Sequence, residues 1–155
     1  MFALSVSSKQ SKRLLAVVCA ALTALAVVSV IAVVRLTDKP PETAVSGGKT
    51  ISLQTDGNDC GAFFRQLGLD AGEVPVMEKT VRIPGEFDEV YTRYNALQKQ
   101  AGLDLTPYRG LQAKQLTFEL QNAEVRYAVL LIKENRVIGG HLTDGEYGGR
   151  LLPLG

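Results

Sequence analysis

The sequence predicts an α+β protein: one N-terminal transmembrane helix, then a small extracytoplasmic domain with an antiparallel β-meander packed against one main helix. Three observations predict it. An uncharged apolar run, Leu14 to Val34, follows a basic cluster. Phe87, Val90, Tyr91, Tyr94, Leu97 and Ala101 recur at helical spacing. From Leu116 onward the apolar period drops to two, in runs separated by turn residues.

The first element is the membrane span. Within Leu14–Val34 only Thr23 and Ser29 are polar, and there is no Gly or Pro. As a helix the run measures roughly 31 Å, which matches a hydrocarbon core of about 30 Å. A cleaved signal has a shorter apolar stretch with a small-x-small site just beyond it. Here Ala24-Leu25-Ala26 lies inside the run and Ala44-Val45-Ser46 lies well past it, so the run reads as an uncleaved signal anchor. Lys9, Lys12 and Arg13 are expected to keep residues 1–13 in the cytoplasm and so to put residues 36–155 outside. Ala16, Ala20 and Ala24 repeat at the spacing seen in helix–helix contacts, but an Ala-rich span gives that pattern by chance.

Charge divides at the same place. The chain of 155 residues has net charge +1 from 17 Lys+Arg and 16 Asp+Glu, yet every acidic residue follows Arg35. The external part is therefore mildly acidic, and nothing suggests a nucleic-acid partner.

Residues 35–50 read as a linker, with Pro40-Pro41 stiffening it and Gly47-Gly48 loosening it, and residues 51–155 as the external domain. A short helix is expected from Asn58 or Asp59, burying Phe63, Phe64 and Leu67 and ending at Gly68. Val74–Ile83 reads as a strand, and Pro75 suits an edge. The main helix is expected over Phe87–Ala101, with Glu86, Asp88 and Glu89 in its first turn and Gly102 ending it. Leu116, Phe118 and Leu120 then alternate with polar residues, whereas Val125–Ile132 is apolar on both faces, as in a central strand. Glu134-Asn135 suits a hairpin turn into Arg136–Thr143, and Leu151-Leu152 a last short strand.

Chemistry-bearing residues are few. Cys19 falls in the span and Cys60 stands alone outside it, so no internal disulfide is available there. His141 is the one histidine. A Cys near a helix N-terminus facing a His on a sheet is the arrangement of papain-like and wall-cleaving cysteine peptidases. Asp59-Cys60-Gly61 is superficially similar to the start of the wall-peptidase motif, although that family's remaining motifs have no counterparts here. The bland reading is a buried structural Cys and an unrelated strand His.

Gly139-Gly140 removes two side chains from a strand and lets a backbone or ligand approach, so Gly139, Gly140 and His141 form a candidate binding patch beside the simpler bulge reading. Gly47-Gly48-Lys49-Thr50 mimics the end of a phosphate loop but lacks its leading Gly and its strand. No residue pattern implies a cofactor or a metal site.

One ordered series is more distinctive than any catalytic motif. It runs Val81-Arg82-Ile83-Pro84-Gly85-Glu86-Phe87-Asp88-Glu89-Val90-Tyr91, then Tyr94 to Gln100, Gly102-Leu103-Asp104-Leu105, Tyr108-Arg109-Gly110 and Val137-Ile138-Gly139-Gly140. Over about residues 51–152 the chain resembles a family of uncharacterised proteins of Gram-positive anaerobes, domain of unknown function 4830. The resemblance implies a membrane-anchored, extracytoplasmic protein and supplies no catalytic residue. The chain departs from that pattern at Leu69, in the short Gln121–Val125 hairpin and at His141, where an acidic residue is common.

The functional expectation is a membrane-anchored extracytoplasmic binding or interaction module. Its partners are the lipid bilayer through Leu14 to Val34 and, outside, a protein, peptide or cell-wall component. Oligomeric state is left open. The expected contact surface is the sheet face away from the main helix. The alternative is a cell-wall cysteine hydrolase using Cys60 and His141.

Overall fold

In the computed structural model, residues 41–146 and 148–155 are described. The expected span Leu14–Val34 and basic tail lie outside them. Among the described residues no helix is long and apolar enough to cross a membrane.

The elements in chain order are β1 (Thr43–Ser46), β2 (Lys49–Ser52), α1 (Gly61–Leu67), β3 (Met77–Arg82), α2 (Glu89–Gln100), a 3-10 turn (Thr106–Tyr108), β4 (Gln112–Glu119), β5 (Tyr127–Lys133), β6 (Arg136–Thr143) and β7 (Leu151–Leu152). Strands β3 to β7 form one antiparallel sheet in sequence order, a meander, while β1 and β2 pair separately. The α+β architecture agrees with the sequence reading.

The linker reading fails over residues 43–50. Gly47 and Gly48 both take positive φ, 55° and 78°, and close a two-residue turn between β1 and β2. Paired glycines read as looseness in the sequence, but two successive left-handed residues are what the tightest hairpin turns require. The hairpin is then drawn inward, because Ala44, Ile51 and Leu53 are buried in the core. The Ser46 hydroxyl donates to the Leu154 carbonyl at 2.9 Å and ties down the C-terminus.

Alternation along β4 assigns the two sheet faces. Leu116, Phe118 and Leu120 point into the larger apolar cluster, with Ala128, Leu130 and Ile132 of β5. Phe63 and Phe64 of α1, the β1–β2 hairpin and Leu154 cover them. Ala113 and Leu131 point the other way, into a smaller cluster with Ile83, Leu105, Tyr108 and Ile138. The doubly apolar β5 is thus central, as its composition predicted, and the face expected to await a partner is already covered.

The main helix begins later than Phe87 because Asp88 is its N-cap, accepting the Tyr91 N–H at 2.7 Å. Its inward face is also rotated from the predicted stripe. Val90 is 67% exposed, while Asn95 and Gln98 are buried. Each of these polar side chains replaces a missing backbone partner. Asn95 accepts the Leu105 N–H at 2.8 Å and donates to Asp104 at 2.9 Å, holding the loop after the helix. Gln98 accepts the Gly140 N–H of β6 at 2.6 Å. Apolar periodicity cannot see a helix that packs beside a strand edge, where the demand is for hydrogen-bond acceptors.

Candidate interaction surface

Cys60 is the N-cap residue of α1, yet its thiol makes no capping bond; the Gly61 N–H goes to Asp59 instead, at 2.9 Å. Cys60 is 1% exposed and packed with the larger cluster. Burial, with the Asp59 charge adding to it, pushes its thiol up to about 11. An activated thiolate needs the opposite shift.

His141 pairs across the sheet with Val129, so it lies on the α2 side. Tyr94 of α2 meets it edge-on, ring centroids 5.5 Å apart, with the phenol oxygen 3.0 Å from Nδ1. Burial raises the Tyr94 pKa, so the phenol stays protonated and shares one hydrogen bond with the imidazole, its direction set by the ring tautomer. Burial also pulls His141 down to about 4. Tyr94 continues through Tyr91, centroids 5.5 Å apart, to Phe87, a further 4.8 Å, where the Arg109 guanidinium sits 4.3 Å above the ring. Cys60 and His141 therefore lie on opposite sides of the sheet, and the dyad of the alternative reading is not assembled.

This makes Cys60 a sharp test. In the full chain carrying Cys19→Ser, iodoacetamide at neutral pH is expected to label Cys60 about 100-fold more slowly than a free thiol, since a thiol pushed up to about 11 by burial holds that much less thiolate. Labelling should become fast in denaturant. Rapid labelling of the folded chain, read by mass spectrometry, would restore the nucleophile.

Gly139 and Gly140 do allow a close approach, and the structure shows by what. Leu131 pairs with Gly139 and Ile132 with Val137, so Ile138 is the extra residue of a bulge. A Cβ on Gly139 would stand 2.9 Å from Leu105 Cδ2 and 3.2 Å from Gln98 Oε1. One on Gly140 would stand 2.5 Å from Leu154 Cδ1 and 2.6 Å from the Val129 carbonyl oxygen. The space is filled by the protein's own helix and C-terminus. The candidate patch at Gly139, Gly140 and His141 is thus an internal packing joint at its two glycines, with the bulge that was the simpler reading.

The same joint closes one edge of the sheet. Beyond the short β7, the outer side of β6 meets Leu53, whose carbonyl accepts the Val137 N–H at 2.8 Å, Gln54 opposite Arg136, and Gln98 at Gly140. The other edge is different. Among the described residues β3 pairs with β4 alone, and along Met77–Arg82 every side chain is exposed except the half-buried Val81. Just before it stand exposed Val74 and Val76, and Met77 itself is 54% exposed. Beside its start an open depression of about 370 Å³ is lined by Asn58, Asp59, Glu73, Val74, Pro75 and Glu78. Lys114 bridges Asn58 and Glu78 there, at 3.0 Å to each.

The matched stretch of chain runs from Gln66 in α1 to Leu142 in β6, and so contains β3, α2 and the sheet centre. Residues 66–142 match the family model of a domain of unknown function, DUF4830. No curated protein and no solved structure matches the chain. The DUF4830 segment includes Gly139, Gly140 and His141 but not Cys60. It also includes the whole of the uncovered edge. Sequence reasoning placed Pro75 at an edge but missed Glu78, Thr80 and Arg82 as surface residues of interest. Their signal is faint: charged and polar residues at every second position of a strand.

Among the described residues, no group of His, Cys, Asp and Glu is placed to hold a metal ion.

Proposed function

We propose that this chain is a membrane-anchored, extracytoplasmic interaction module whose DUF4830 segment takes an extended partner strand along β3. The uncovered backbone edge of β3 carries the reading. An exposed row of unpaired N–H and C=O groups is a template for strand addition, with backbone bonds giving affinity and alternate side chains giving selectivity. Val74, Val76 and Met77 add apolar area at one end. The run Leu14–Val34 and the basic cluster before it support anchoring, with the domain outside.

The test is a photo-crosslinking amino acid placed at Thr80 of the full chain in intact cells, compared with the same group at Arg93 on the exposed side of α2. A discrete adduct from Thr80 and none from Arg93 is the expected result. No adduct at Thr80, or identical smears from both positions, would overturn it. Protease added from outside should also remove the domain while leaving the anchor membrane-bound; protection of the domain would reverse the orientation.

A further inference from the structure

We infer that the strand received by β3 is the β3 of a second copy of this chain, paired antiparallel about a two-fold axis at Thr80. The inference rests on the proposed use of this edge and adds the identity of the occupant.

The backbone decides which residues face outward. Leu120 N–H bonds to the Arg126 carbonyl, so the even-numbered residues of β4 turn their backbone groups toward β5 and the odd-numbered ones toward β3. Met77, Lys79 and Val81 pair with Thr117, Gln115 and Ala113, and so spend their own backbone groups on β4. The Ile83 N–H, bonded to the Leu111 carbonyl at 2.9 Å, continues the alternation. Glu78, Thr80 and Arg82 therefore present their N–H and C=O groups to the open side. Pro84, next in that series, has no N–H to leave unpaired.

A two-fold antiparallel pair bonded through these residues has few registers. Centred on Glu78 it sets Glu78 against its own copy, and centred on Arg82 it does the same for Arg82; like charges directly opposite are unfavourable. Centred on Lys79 it opposes two lysines. Centred on Val81 it leaves Glu78 facing Pro84. Centred on Thr80 it sets Glu78 opposite Arg82 of the second copy, twice by symmetry, with a Thr–Thr pair on the axis. Opposite charges and paired threonines are both favourable cross-strand partners. Arg82 makes no ion pair among the described residues, so its charge is available for this contact, while Glu78, already bonded to Lys114 at 3.0 Å and Asn58 at 3.1 Å, would share its carboxylate between them and the second copy's Arg82. The result joins two five-stranded sheets into one and removes the open edge of both.

The test uses the full chain in membranes, carrying Cys19→Ser, with Thr80→Cys as reporter. Residues facing each other in a hydrogen-bonded antiparallel pair have Cα atoms roughly 5.5 Å apart, within disulfide reach. Mild oxidation should give a disulfide-linked dimer from Thr80→Cys and little from Arg93→Cys. Adding Glu78→Arg should reduce that dimer about fivefold or more, and so should Arg82→Glu. Combining the two reversals should restore it. Equal linkage at positions 80 and 93, or no rescue in the double reversal, would overturn self-pairing. An adduct from the Thr80 photo-crosslinker with a mass other than twice the chain would overturn it too, while leaving the interaction-module reading intact. Loss of every adduct would defeat both.

Discussion

Phe64→Ala is expected to destabilise the domain by about 3–5 kcal/mol, read as a shift of the urea midpoint at unchanged slope. Phe64 is 2% exposed and meets Phe118 of β4 edge-on, centroids 5.0 Å apart, with Phe63 a further contact at 6.1 Å. Truncation removes both the apolar burial and the ring contacts, and a rigid sheet on one side limits how far the cavity can collapse. The result bears on function as well as stability. The helix carrying Phe64 covers the sheet face that the sequence left open for a partner. A cost below about 1 kcal/mol would mean that this cover is loosely held, and would return that face to consideration as the contact surface.

The second large effect is a pH dependence from His141. Its folded pKa, about 4, lies below the ordinary 6.5 because burial between α2 and the sheet penalises the charged ring. The unfolded chain therefore takes up this proton on acidification before the folded one does. The stability is fully present above pH 6.5, falls as the pH drops from 6.5 toward 4, and is flat below that as far as this group is concerned. The total is about 3 kcal/mol at most. Asp104 does not confuse the window. Burial would raise its pKa, but bonds from Thr106 and Asn95 and the Lys99 charge outweigh that and hold it at about 2, so its own loss comes at lower pH. His141→Gln should be less stable than the parent at pH 7, through loss of packing and of the Tyr94 bond, and should lose much less on going to pH 4.5. Parallel pH curves for the two proteins would show that His141 does not titrate as its burial requires.

The elements of this protein were largely legible in its sequence, and for local reasons. Gly68, at φ 71°, ends α1 where a left-handed residue was expected. Glu134 and Asn135 take φ of 52° and 57° and close the β5–β6 hairpin as predicted. Leu116, Phe118 and Leu120 alternate into the core because a strand shows successive side chains to opposite faces. The errors share another origin. The β1–β2 hairpin was missed because its turn residues are also linker residues, and its burial depends on Phe63, Phe64 and Leu154, distant in the chain. The face of α2 was misjudged because two of its anchors, Asn95 and Gln98, are polar and are buried for their hydrogen bonds.

The candidate site was less legible than the fold. Cys60 and His141 drew attention as reactive residue types, and each sits where its chemistry is suppressed, on its own side of the sheet. Glu78, Thr80 and Arg82 have no reactive character and matter through position alone.

What the sequence determined by itself was the set of local choices: where helices and strands form, which strand is central, and how charge is partitioned about Leu14–Val34. Backbone geometry and apolar period act over a few residues, so they can be read along the chain. What only the tertiary structure decided was cover and exposure. Whether a face is filled, whether a glycine pair admits a ligand or the protein's own Gln98, and which of two sheet edges stays open all depend on segments remote in sequence. The β6 edge is closed by Leu53, Gln54, Gln98 and β7, and among the described residues β3 is left with its outer backbone edge unpaired.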